Sequence, residues 1–190
     1  STANADLTKF FKRMGCEAST NAYSITGSTP LVDSLLSVRY ALYSEYIPNT
    51  DLVNYIQESG GTYLYENLYT LPLGFVLPYD LADNWQYQME NPAEVQNDLC
   101  LLLGTDDVLV PVETEVSGSG CTFTADMAGE YYVYIQNKKV KNVKASLPSG
   151  EKNFSNVDRG YLLEMGNLSE GSRITLTPGE SGETLTAAVY

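Results

Sequence analysis

The groups able to do chemistry in this 190-residue chain are mainly carboxylates, because the sequence contains no histidine. That absence excludes Ser-His-Asp and Cys-His nucleophiles, HExxH zinc sites and most catalytic zinc within the chain. Neither a P-loop nor a Gly-rich dinucleotide fingerprint occurs. Carboxylate chemistry, a hard cation on oxygen ligands, or binding without catalysis remain, and neither a cofactor nor a metal site is expected.

Asp33, Glu66 and Glu94 are the carboxylates with polar or aromatic neighbours. A glycosidase holds two carboxylates across one cleft, and nothing in the spacing brings any two of these together. Asp33 and Glu94 fall in the first turns of predicted helices, where they complement the helix dipole. Glu66 closes a predicted strand, and a buried salt bridge with Arg39 is its expected role. Asp80 with Asp83, and Asp106-Asp107, offer oxygen ligands but no twelve-residue calcium loop, and read as solvated loop acids. Cys16, Cys100 and Cys121 fit no metal spacing and no disulfide framework. They read as small buried apolar side chains, with a Cys16–Cys100 bridge left to the fold.

Tyrosines cluster at Tyr40, Tyr43, Tyr46, Tyr63, Tyr65 and Tyr69. They suit either a sugar-stacking surface or half-buried strand positions with wet hydroxyls, and the second reading is preferred for most of them. Where acid, amide and tyrosine meet, Tyr65, Glu66, Asn67 and Tyr69, with Asp33, form the candidate ligand-binding set.

The elements that must position these groups are legible from caps and periodicity. Leu7, Phe10, Phe11 and Met14 predict a helix from Asp6, with Asp6 as cap and Gly15 as stop. Thr29-Pro30 and Asn91-Pro92 are N-cap and N1 pairs, and Glu94 at N3 can close a capping box. Val38–Tyr43 and Thr62–Glu66 read as strands and Thr50–Glu58 as a helix stopped by Gly60-Gly61. Leu71–Leu77, apolar on both faces, reads as a central buried strand, although Pro72 and Gly74 argue against full pairing. After residue 107 short strands of period two recur between Gly/Ser/Asn/Pro turns, as in a β-sandwich. Within Tyr131–Gln136 the inner set is Tyr131, Val133 and Ile135, and Tyr132 and Tyr134 point outward with Gln136.

The expected class is therefore α+β: a small α/β subdomain over 1–107 followed by an antiparallel β-sandwich over 108–190. Charge follows the same division. Residues 1–107 carry fourteen acids against four cations and residues 108–190 ten against seven, within a total of −13. Such acidity excludes an electrostatic grip on nucleic acid. No segment approaches the ~20 apolar residues of a membrane helix, since Leu31–Ile47 is broken by Asp33, Arg39 and Glu45. A start at Ser1, without methionine or signal peptide, points to a piece of a longer protein.

Three stretches carry a family resemblance. They are Gly27-Ser28-Thr29-Pro30-Leu31-Val32-Asp33-Ser34-Leu35-Leu36-Ser37-Val38-Arg39-Tyr40, then Tyr65-Glu66-Asn67 with Leu71-Pro72-Leu73-Gly74-Phe75, then Asn91-Pro92 through Gln96-Asn97. In this order they resemble the extracytoplasmic part of YfhO-type bacterial integral membrane proteins, over roughly residues 7–104. The resemblance implies a polytopic parent, similar to GT-C-class glycosyltransferases that use lipid-linked sugars to decorate cell-wall polymers such as lipoteichoic acid. The catalytic acid of that class lies in an early loop near the membrane helices. No position here matches it, so no catalytic residue is carried over and the fragment is not expected to be an enzyme by itself. Implied partners are the membrane-embedded part of the same parent, with a glycan or lipid-linked sugar, at the extracytoplasmic face. Two other readings stand beside this one: a structural or protein-interaction module at the cell surface with no ligand of its own, and a carboxylate-based hydrolase.

Overall fold

A computed structural model describes residues 3–190. In chain order the elements are α1 (Ala5–Arg13), β1 (Ala18–Ser19), β2 (Ala22–Tyr23), α2 (Pro30–Leu35), β3 (Tyr40–Tyr43), β4 (Val53–Ser59), β5 (Thr62–Asn67), α3 (Leu81–Asn84), α4 (Pro92–Leu102), β6 (Glu115–Ser117), β7 (Gly120–Thr124), β8 (Gly129–Ile135), β9 (Asn142–Leu147), β10 (Gly150–Ser155), β11 (Leu162–Leu168), β12 (Arg173–Pro178) and β13 (Ala187–Val189). A 3-10 turn over Val157–Arg159 precedes β11. Few short helices and several antiparallel sheets make the chain α+β.

By compactness the chain forms two units, Ser28–Leu81 on one hand and the residues up to Gly27 together with Ala82–Tyr190 on the other. The change of character near residue 107 is thus the passage from α4 to strands inside the larger unit.

The smaller unit is built on the antiparallel sheet β3-β5-β4. Thr29 caps α2 by accepting from the Val32 amide, with Pro30 in the first turn, and this start follows the sequence signal. The predicted helix over Thr50–Glu58 is instead strand β4. Its register with β5 slips between Tyr55 and Gln57, so Ile56 is the extra residue of a bulge. The bulged Ile56 is exposed, so the helix-like spacing of Leu52, Val53 and Ile56 does not mark a single inward face. Gly60 and Gly61, at φ 59° and 77°, are the two-residue turn joining β4 to β5. Positive φ at both centres matches the right-handed twist of a hairpin.

Leu71–Leu77 is not a buried strand. Leu73 and Val76 are 96% and 98% exposed, Tyr79 is fully exposed, and Phe75 and Leu77 are also exposed. Its backbone forms no strand. β5 already lies between β3 and β4, and Pro72 and Pro78 lack the N–H needed for a ladder.

The larger unit packs the sheet β10-β9-β12-β7-β6 against the sheet β11-β8-β13. Phe123, Tyr131, Val133, Ile135, Ile174 and Leu176 belong to the apolar cluster of this sandwich. Alternation in β8 sends Tyr131, Val133 and Ile135 inward, as expected. Tyr132 and Tyr134, expected to face outward, are also buried, because Ala93 of α4, Leu109, Leu162 and Tyr190 cover them. A helix start thus forms a further layer outside the second sheet. At α1 the cap is Asn4, accepting from the Leu7 amide, rather than Asp6, which lies inside the first turn. Both residue types cap well, and the helix starts two residues earlier than the apolar period suggests. Cys16, Cys100 and Cys121 are buried, and among the described residues no disulfide joins them.

Candidate functional site

The residues singled out by sequence lie in the smaller unit. Tyr65 is fully buried; its hydroxyl donates to the Ile47 carbonyl and accepts from the Ile47 amide, both at 2.7 Å. Tyr43 and Tyr55 pack edge-on against its ring. The Glu66 carboxylate accepts from Arg39 at 3.1 Å, so the expected pair forms, but Arg39 is 64% exposed and the bridge is on the surface, not buried. Asn67 donates to the Val38 carbonyl at 3.1 Å and accepts from the Tyr69 amide at 3.0 Å, shaping the turn after β5. Tyr69 is exposed. Asp33, in the first turn of α2, accepts from the Ser28 hydroxyl, and burial raises its carboxyl pKa against the lowering effect of that bond. Glu66, Asn67 and Tyr69 are therefore adjacent along one strand end, whereas Asp33 has partners of its own.

Glu94 stands in the larger unit at the start of α4. Asn91 accepts from the Ala93 amide and donates to the Glu94 carboxylate at 3.4 Å and to the Tyr190 hydroxyl at 2.6 Å. Buried Gln96 donates to the Met14 carbonyl, binding α4 to the end of α1. Glu94 thus serves the start of α4, as the sequence suggested.

The larger unit contains a cleft of about 400 Å³ that sequence reading did not find. One wall is α1, whose Lys9, Lys12 and Arg13 stand at i, i+3 and i+4 and so share a face. Lys138, just after β8, and Arg159, in the 3-10 turn, complete a set of five cations. Glu90 and Asp158 also line it. Arg13 is committed to backbone: it donates to the carbonyls of Gln88 and Met89 at 3.0 Å. Arg159 pairs with Glu17 at 2.8 Å. Lys138 donates to the Tyr134 hydroxyl at 2.6 Å and lies 4.2 Å from its ring centroid. Burial lowers the Lys138 pKa and, with the nearby Glu90 and Glu94 carboxylates, raises that of Tyr134 to about 12.

Gly160 leaves room for this arrangement. It sits at φ 79°, and an added Cβ would lie 2.8 Å from the Lys138 ammonium. The sequence signal for the cleft was faint: three of the four cations before residue 107 fall on one helix face. The other two lie more than a hundred residues later, and only the fold brings them there.

No curated protein and no solved structure matches the chain. Among the described residues no helix is long and apolar enough to cross a membrane. The sequence profile described as "Bacterial membrane protein YfhO" matches residues 1–108, which is more than half of the chain. The chain belongs to the YfhO family of bacterial membrane proteins.

Proposed function

We propose that this chain is an extracytoplasmic region of a polytopic bacterial membrane protein, accessory to glycosyl transfer from lipid-linked sugars onto cell-wall polymers such as lipoteichoic acid. Family membership supplies the membrane-embedded parent. The observation that carries the reading is the apolar segment Leu71–Tyr79, in which Leu73, Val76 and Tyr79 are essentially fully exposed. Fully burying one such side chain is worth ~1.5–3 kcal/mol, so the segment favours an apolar cover, and the membrane-embedded part of the same parent supplies one. Just before it in the chain, Glu66, Asn67 and Tyr69, with Asp33, are the proposed ligand contacts; Tyr65, named with them from sequence, is buried and bonded to Ile47.

Two measurements on the full-length protein in cells test this. Val116→Cys, at an 88% exposed position, should react with a membrane-impermeant maleimide added from outside, while the buried native cysteines stay silent; labelling only after lysis rejects the extracytoplasmic placement. A Leu73→Asp/Val76→Asp double variant should lose sugar transfer while the isolated chain unfolds as before. Unchanged transfer with a lost protein partner would favour the interaction-module reading, which the commitment of Tyr65 and Asn67 to backbone also suits.

A further inference from the structure

Five of the eleven Lys and Arg residues of a chain with net charge −13 converge on the one cleft between α1, the residue after β8 and the 3-10 turn. Against them stand Glu90 and Asp158 in the lining and Glu17 paired to Arg159. Counting these three, the local balance is an excess of two positive charges, reduced to one by Glu94, which acts on Tyr134 from outside the lining. We propose that this cleft binds the phosphate group of a small organic phosphate monoester, with the Lys9, Lys12 and Lys138 ammoniums as its ligands.

Charge and donor geometry select that chemistry. A phosphate monoester carries about −1.5 to −2 charge at pH 7 and presents three strong acceptor oxygens, one for each of the Lys9, Lys12 and Lys138 ammoniums. Arg13 already donates to carbonyls, and one terminal nitrogen of Arg159 is taken by Glu17. Planar two-point recognition of a carboxylate favours Arg, whereas Lys serves phosphate as a point charge. Among the described residues Lys9 and Lys12 form no ion pair with a carboxylate. The Lys9 ammonium stands over the Tyr87 ring, at 6.0 Å from its centroid. A volume of about 400 Å³ lies within the range of small-ligand sites, leaving space for the organic part. The site belongs to the larger unit, whereas Leu71–Tyr79 and Glu66 belong to the smaller, and it does not rest on the glycosyl-transfer reading.

The test is a titration of the isotope-labelled 190-residue chain with glycerol 3-phosphate, with acetate as control, followed by amide resonances. Saturable shifts at the C-terminal turn of α1, Lys138 and Gly160 are expected. Lys12→Gln, at an exposed position, should weaken binding about tenfold, the worth of one charge-assisted hydrogen bond, and Lys141→Gln should leave it unchanged. A parallel arm uses phosphatidylcholine vesicles with and without phosphatidic acid. Binding of the soluble ester assigns a free metabolite-type ligand, binding only of phosphatidic acid vesicles assigns a lipid headgroup, and either supports a phosphate site. No saturable response to either probe, equal response to acetate, or equal weakening by Lys12→Gln and Lys141→Gln overturns it.

Discussion

The side-chain amide of Asn91 donates to the hydroxyl of Tyr190 at 2.6 Å across a sequence separation of 99 residues. The same Asn91 caps α4, so one side chain fixes the helix start and ties it to the residue following the last strand. Asn91→Ala should remove both contacts. The expected loss is about 1–3 kcal/mol, from a lost cap plus a buried hydroxyl without its donor. Urea unfolding of the variant measures it. Tyr190→Phe should cost less, because the cap itself survives.

Gly160→Ala tests the packing around Lys138. The left-handed backbone alone costs a residue with a Cβ about 1–2 kcal/mol, and the Cβ displaces the ammonium from Tyr134. Lower unfolding stability should come with a change in Tyr134 ultraviolet absorbance. Stability loss without the spectral change would mean that Lys138 moves independently of Gly160.

Alkaline pH should weaken the larger unit. Burial chiefly pushes the hydroxyls of Tyr134 and Tyr161 up from 10.0 to about 12 in the folded chain. Between those values the unfolded chain has lost protons that the folded chain keeps. Their contribution is thus fully present below pH 10 and is lost as pH rises toward 12. Denaturant midpoints across this range should fall, and Tyr161→Phe should flatten the decline. An unchanged slope in that variant assigns the effect to other groups.

Tyr65 and Glu66 should separate sharply although they are neighbours. Tyr65→Phe strips the Ile47 amide and carbonyl of their partner and should cost about 1–3 kcal/mol. Glu66→Gln breaks only a surface bridge, worth ~0–1 kcal/mol, and Tyr69→Ala should stay within about 0.5 kcal/mol. Loss of sugar transfer by the full-length protein carrying Glu66→Gln or Tyr69→Ala, at unchanged stability, identifies ligand contacts. Retained transfer in both removes them from the proposed set.

Local chemistry was legible where it depended on adjacent residues. Thr29-Pro30 and Asn91-Pro92 each place a side-chain acceptor and a residue without N–H where a helix needs them, and both helices start there. The alternation of Tyr131, Val133 and Ile135 named an inward face correctly. The Arg39–Glu66 pair was legible as a pairing but not in its exposure.

By itself, then, the sequence determined the α+β class, two of the helix caps, most strands of the sandwich, and the exclusion of histidine chemistry, since each follows from composition or neighbours a few positions apart. Tertiary structure alone decided the rest. The segment with helix-like spacing at Ile56 is a bulged strand, and Ala93, Leu109 and Tyr190 covered a tyrosine face that alternation assigned to solvent. Leu71–Leu77 stayed uncovered because apolarity selects burial only where the fold supplies a neighbouring surface. The cationic cleft likewise exists because α1, Lys138 and Arg159 are neighbours in space and strangers in sequence.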